Sequence, residues 1–264
     1  MPAALDDVLA VLDRIAPPAL AEDWDNVGLI VDATPRVPVQ RALLTIDLTE
    51  AVLDEAIARR CQLVVAYHPP LFAPLRRLHA SDASARVVLR AVREGIAIHS
   101  PHTALDAVSA GLCDWLAEAL GSGARTPLRA TNDGDDPSHG PGRCVVLESP
   151  ASLDEIVARI KSWLKLPALR IARAPHAGSI RRVALCPGAG GSVLAGVNAD
   201  LYWTGELRHH DVLAALARGT SVVLCEHSSS ERGYLAVLRG RLAEQCPGVE
   251  FLVSAHDREP LVLA

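Results

Sequence analysis

Aromatic side chains are scarce in this sequence, at 3% of residues, while half of all residues are hydrophobic. Its core must therefore be aliphatic, built from Leu, Val, Ala and Ile. Paired cysteines are absent too. The six cysteines, at 61, 113, 144, 186, 225 and 246, form no C-x-x-C pair, which argues against zinc ribbons and fingers. Those at 186 and 225 end apolar runs and read as small core residues of a reducing compartment. No apolar run approaches the roughly 20 residues that cross a bilayer. The opening segment, MPAALDDVLAVLDRIAPP, carries acids where a signal peptide carries positive charge. These absences together predict a cytoplasmic protein with no membrane partner. Nor is there an excess of basic residues: Asp plus Glu outnumber Lys plus Arg by 31 to 26, a net charge of -5, so the electrostatic footprint of a nucleic-acid binder is missing.

What is present is a rhythm. Leu5, Val8, Leu9, Leu12 and Ile15 recur at helical spacing, and Pro17-Pro18 closes that helix. RALLTIDL (41–48) reads as a buried strand, and the helix after it takes Thr49 as N-cap. QLVVAYHPPLF (62–72) is a strand broken by Pro69-Pro70, and IAIHSPHTALDA is a strand followed by a loop. After residue 142 the alternation resumes, with a Ser152/Glu155 capping box opening one helix. Strands alternating with helices predict βαβ units and mostly parallel sheets covered on both faces. The Gly-, Pro-, Asp- and Ser-rich stretch before residue 142 reads as a linker or long loop. The expected division is an N-terminal α/β lobe over 1–124, a linker or reduced insertion site over 125–142, and a C-terminal α/β lobe over 143–264.

Metal-type donors gather just after the strand-like runs: His68 in AYHPP, His102 and Asp106 in HTALD, His227 and Glu231 in EHSSSE. Side chains there stand at the mouth of an α/β sheet, where ligands bind. Each has a plain alternative. A strand-end His is commonly an ordinary surface or capping residue, and Asp106 or Glu231 suits a helix terminus electrostatically. The joint pattern is stronger, because two segments repeat a His-x-x-x-acid spacing. Mixed imidazole and carboxylate donors suit Zn, Fe, Mn, Co or Ni rather than Ca. With donors in both halves, the site is expected in the cleft between the lobes, with Glu231 or Asp106 able to bridge two metals. PGAGGS (187–192) offers a weak phosphate-cradle signal, since it lacks the GxxxxGK[ST] pattern. TGELRHHD (204–211) supplies Glu206, His209 and His210, which either touch substrate or form a solvated helix start.

The order DNVGL (25–29), YHPPLF (67–72), SPHTALDA (100–107), GAGGS (188–192), TGELRHHD (204–211) and EHSSSERG (226–233) resembles the Nif-three-like proteins, whose bacterial members carry the name GTP cyclohydrolase 1 type 2. The motifs span nearly the whole chain in the family's order. The resemblance implies a two-lobed α/β fold with a dinuclear divalent-metal centre in the cleft, and assembly as a toroidal homohexamer. By motif, His68, Asp106, His227 and Glu231 match the family's ligands, Glu231 in the bridging position, and His102 matches a residue that ligates in some members. No organic cofactor is implied. Many members have two adjacent histidines before the first proline. Here the first is Tyr67, as in part of the family, and a phenol with a pKa of about 10 is the poorer ligand. The expected activity is metal-dependent hydrolysis of a small molecule or nucleotide, with Glu231 as the catalytic carboxylate and His210 or Glu206 moving protons. The alternative is a metal-binding regulatory or scaffold protein without turnover.

Overall fold

The computed structural model describes residues 2–32, 35–131, 136–175 and 178–261. These divide into two compact units, one formed by 1–105 with 234–264 and the other by 106–233.

The first unit holds α1 (Leu5–Ile15), β1 (Gly28–Val31), β2 (Arg41–Thr45), α2 (Glu50–Ala58), β3 (Leu63–Ala66), α3 (Ala83–Arg93), β4 (Ala97–Ser100) and the start of α4 (His102–Ala107). The second holds α5 (Leu112–Glu118), β5 (Gly123–Thr126), β6 (Arg143–Ala151), α6 (Leu153–Leu164), β7 (Arg170–Ala172), β8 (Ile180–Ala189), α7 (Gly191–Leu194), β9 (Leu201–Glu206), α8 (His209–Ala217) and β10 (Ser221–Leu224). Two last elements, α9 (Tyr234–Gln245) and β11 (Glu250–Val253), return to the first unit.

The first sheet runs β1-β4-β3-β2-β11. Its four strands from β4 to β11 are parallel, and β1 joins β4 antiparallel. β3 and β4 are buried at every position, as expected of parallel strands covered on both faces. Val52, Leu53 and Ala56 of α2 and Val87, Val88 and Ala91 of α3 close one face against Leu43, Val64 and Ile98. Three caps arise locally: Thr49 Oγ1 accepts from Val52 N–H (3.4 Å), Asp82 from Ala85 N–H (2.8 Å), and Ser152 and Glu155 form the expected capping box. α1 buries Val11 where the periodicity suggested Leu9.

The second sheet runs β5-β6-β8-β9-β10-β7. Only β8, β9 and β10 are mutually parallel, while β5, β6 and β7 pair antiparallel. It is a mixed sheet, not the mostly parallel one expected. One aliphatic cluster gathers around Ala184, Leu194, Val222 and Leu224 and includes Tyr202, and the neighbouring Trp203 of β9 is buried as well.

Two boundary expectations need correction. The lobe placed at 143–264 ends at 233, because β11 pairs in parallel with β2 and α9 packs beside it. Periodicity identifies strands but not their neighbours, so this return was invisible. The stretch read as linker, 125–142, takes in the last two residues of β5, a full partner of β6, and its residues 132–135 lie outside the described residues.

The return is held by a buried carboxylate. Glu55, with a 5% exposed side chain, accepts from Ser254 Oγ (2.6 Å) and from the N–H groups of Ala255 (3.1 Å) and His256 (3.3 Å), and pairs with Arg59 (3.0 Å). Burial opposes its ionisation, but these bonds outweigh burial and hold its pKa below 4.5. Its contribution to stability is therefore complete above pH 4.5 and is lost as pH falls through the lower folded value. Glu55→Gln should lower unfolding stability by about 1–3 kcal/mol at neutral pH. In urea titrations the gap to wild type should narrow below pH 4.5; a gap independent of pH would contradict this account.

Candidate metal centre

The first unit builds its donor set at one edge of its parallel sheet. β2, β3 and β4 are adjacent and parallel, so the residues just beyond their C-terminal ends emerge side by side. Those residues are Asp47, His68 and His102. Asp47 Oδ1 lies 2.9 Å from His68 Nδ1. The His68 and His102 rings stand edge-to-face with centroids 5.3 Å apart. Tyr67, 3% exposed, packs edge-on against both, at 5.0 and 5.4 Å.

His102 opens α4 with φ +26°, a backbone conformation that L side chains rarely adopt. Asp25 holds it there. Asp25 Oδ1 lies 2.7 Å from His102 Nδ1, while Oδ2 accepts from Thr103 N–H (3.1 Å) and from the Thr103 hydroxyl. The Asp25 side chain is fully buried. Burial raises its pKa, but the bonds from His102 and Thr103 and the His102 charge prevail, and the carboxyl sits below the usual range. An ionised carboxylate only accepts, so the proton between the two groups lies on Nδ1 of His102, and Nε2 is the nitrogen turned away from Asp25.

The second unit repeats the device at the matching edge of its own parallel strands. Glu206, last residue of β9, places Oε1 2.8 Å from His227 Nδ1, beyond the end of β10. The His227 Nε2 is turned to the other side, 3.4 Å from Glu231 Oε1. A short 3-10 turn, Ser228–Ser230, joins the two residues and delivers the i, i+4 contact. Glu231 is 2% exposed.

Gly188 lies directly against this pair. A Cβ on Gly188 would stand 2.7 Å from Glu231 Oε1 and 2.9 Å from His227 Nε2, and its φ is +57°. Only glycine lets the β8 backbone come this close. The glycine run is therefore not the phosphate cradle considered above. β8 continues through it to Ala189, the Gly188 N–H donates to Ser230 Oγ (2.8 Å), and the Gly190 N–H donates to Thr204 Oγ1 (3.1 Å).

The remaining candidates lie as follows. Asp106 is half-buried near the end of α4, where its charge acts on Arg143 and Cys113. His210 is exposed in the first turn of α8, its ring against His209 at 5.4 Å. All six cysteines are buried thiols without disulfides. No described helix is long and apolar enough to cross a membrane. Sequence reasoning gave neither Asp47 nor Asp25 a role. The signal that could have found Asp47 is the one that marked His68, a donor just past an apolar run.

In each unit an imidazole is pinned through Nδ1 by a carboxylate, the kind of contact that orients metal-binding histidines. The donor chemistry fits a divalent transition metal. The fold is that of the two-unit α/β proteins related to NIF3. The chain matches Duf34/NIF3 (NGG1p interacting factor 3) over residues 3–260 and belongs to that family. It is 42% identical to a protein NIF3 homolog of Schizosaccharomyces pombe, over 95% of both chains. It is 36% identical to NGG1-interacting factor 3 of Saccharomyces cerevisiae, over 99% of this chain and 98% of the relative. A Bacillus cereus protein related to NIF3 shares the fold at TM-score 0.85 and 19% identity, over all of both chains.

Gly188→Ala should displace the His227–Glu231 pair and cut bound metal at least about tenfold in affinity, within the range that mis-set supporting contacts cost. Gly240→Ala, whose added Cβ meets nothing within 4 Å, should leave metal content unchanged. Equal metal content by elemental analysis in both variants would contradict the close-approach argument.

Proposed function

We propose that this protein is a metal-dependent hydrolase in which His68, His102, Asp106, His227 and Glu231 ligate divalent metal, two ions per chain, with Glu231 bridging. The observation that carries the reading is the repeated Nδ1–carboxylate pairing at His68, His102 and His227, the pattern that orients imidazoles for a metal. Zn, Fe, Mn, Co and Ni all suit this donor set. Such a metal supplies a lowered pKa for a water it binds, from 15.7 towards about 7. The protein's own groups do the rest. Asp25, Asp47 and Glu206 fix the imidazoles, and Glu231 offers a buried carboxylate to a proton in transit. The exposed His210 is the candidate for exchanging that proton with solvent. Ring opening of GTP is the reaction that the name of the bacterial relatives implies, and a small-molecule or nucleotide substrate is the class proposed. Self-assembly as a homohexamer belongs to the same reading.

A second reading is a metal-binding scaffold without turnover. It is favoured by Tyr67, a buried phenol at the position where the family resemblance implies a second imidazole in many members, and by the yeast relative's name as an interacting factor.

Elemental analysis should find one to two metals per chain, falling by half or more in Asp106→Ala and Glu231→Ala. GTP, generic phosphoesters and peptides should then be assayed with the metal-loaded chain. Metal-dependent turnover that drops about 100-fold or more in Glu231→Ala supports the enzyme, on the scale of a lost catalytic group. Full metal content with no turnover on any substrate supports the scaffold. A folded chain that takes up none of the five metals contradicts both.

A further inference from the structure

Beside His102 the first unit carries a groove of about 670 Å³. Its walls are Trp24 and the segment 71–78. Two aromatic rings are displayed there in a chain that has few. Trp24 is 57% exposed and Phe72 53%, and Leu75 and Leu78 beside them are exposed as well. The Trp24 and Phe72 rings are 5.6 Å apart, tilted by 42°. Both meet the His102 ring edge-on, at 6.0 and 6.1 Å. Exposing such rings costs hydrophobic free energy, and clustered exposure of this kind marks a binding surface.

Arg76 and Arg77 line the same groove. Both are exposed, and neither makes a hydrogen bond or ion pair among the described residues. The one acid in the lining, Asp25, is fully buried and committed to His102 and Thr103. It does not meet the guanidinium groups at the surface. The walls are also fastened together, since Asn26 Nδ2 donates to the Leu71 carbonyl at 2.5 Å. Two stacking faces and two unpaired guanidiniums on a tied frame complement a planar ring with an anionic group. The volume falls in the range of small-molecule sites, roughly 300–1,000 Å³. A nucleic-acid strand would need a longer basic track than two arginines on a chain of net charge -5.

We propose that this groove binds an aromatic or heteroaromatic ring carrying a phosphate-type anion, with Trp24 and Phe72 stacking on the ring and Arg76 and Arg77 holding the anion. That the bound molecule is the substrate presented to His102 rests on the metal-hydrolase reading. Binding itself does not.

The test is calorimetric titration of the full chain, stripped of metal by chelator so that nothing turns over. The probes are 1-naphthyl phosphate, adenosine 5′-monophosphate, cyclohexyl phosphate and inorganic phosphate. The two aromatic phosphates should bind saturably and about tenfold or more tighter than the other two, since stacking on an aromatic side chain is worth about 1–3 kcal/mol. Trp24→Ala should abolish that preference. The double variant Arg76→Ala/Arg77→Ala should weaken the aromatic phosphates about tenfold or more at low salt. Both variants should keep the wild-type metal content and thermal midpoint. Absence of saturable aromatic-phosphate binding, equal affinity for cyclohexyl phosphate, or affinities unmoved by both variants would overturn the proposal. Failure of the metal reading looks different: a wild-type chain that takes up no metal yet binds aromatic phosphates leaves the groove standing. A metal-loaded chain indifferent to these ligands removes the groove alone.

Discussion

A hydrogen bond from imidazole Nδ1 to a carboxylate is the interaction on which this protein's candidate chemistry depends. Histidine has two ring nitrogens and one proton to place between them when neutral. Left alone, it would sample tautomers and ring rotations. Asp47, Asp25 and Glu206 each settle the matter for one histidine, at 2.9, 2.7 and 2.8 Å. The His102 case is the most heavily built. Its carboxylate is fully buried and also binds Thr103, and its backbone is held at φ +26°. A strained residue persists only where its surroundings over-determine it. Here the over-determination points one nitrogen outward.

Parallel strands explain why these pairs can exist at all. Adjacent parallel strands end at the same edge, so residues far apart in sequence become neighbours beyond their C-termini. Asp47 and His68 are 21 residues apart yet pair directly, as do Glu206 and His227. Both units use the device, although only part of the second sheet is parallel. That part is β8, β9 and β10, the strands that carry Gly188, Glu206 and the approach to His227. The antiparallel strands β5, β6 and β7 contribute none of these residues.

Much of this was legible in the sequence. The imidazoles were visible because each closely follows an apolar run, and the capping residues Thr49, Ser152 and Glu155 sat where helix starts were expected. The partners of the imidazoles were not, since pairing depends on strand order, which periodicity does not encode. Asp25 stood inside a recognisable DNVGL segment, but its bond to His102 spans 77 residues. The return of α9 and β11 to the first unit was hidden for the same reason. Gly188 looked like part of a phosphate loop because local glycine patterns do not reveal what faces them. What faces it is the His227–Glu231 pair.

The most direct measurement is anomalous diffraction from a crystal of the metal-loaded chain, read at the metal's absorption edge. The account predicts metal density within bonding distance of Nε2 of His68, His102 and His227, with Nδ1 of each still on its carboxylate and Glu231 among the ligands. Metal bound through Nδ1, or bound elsewhere with these three Nε2 atoms facing solvent, would contradict it.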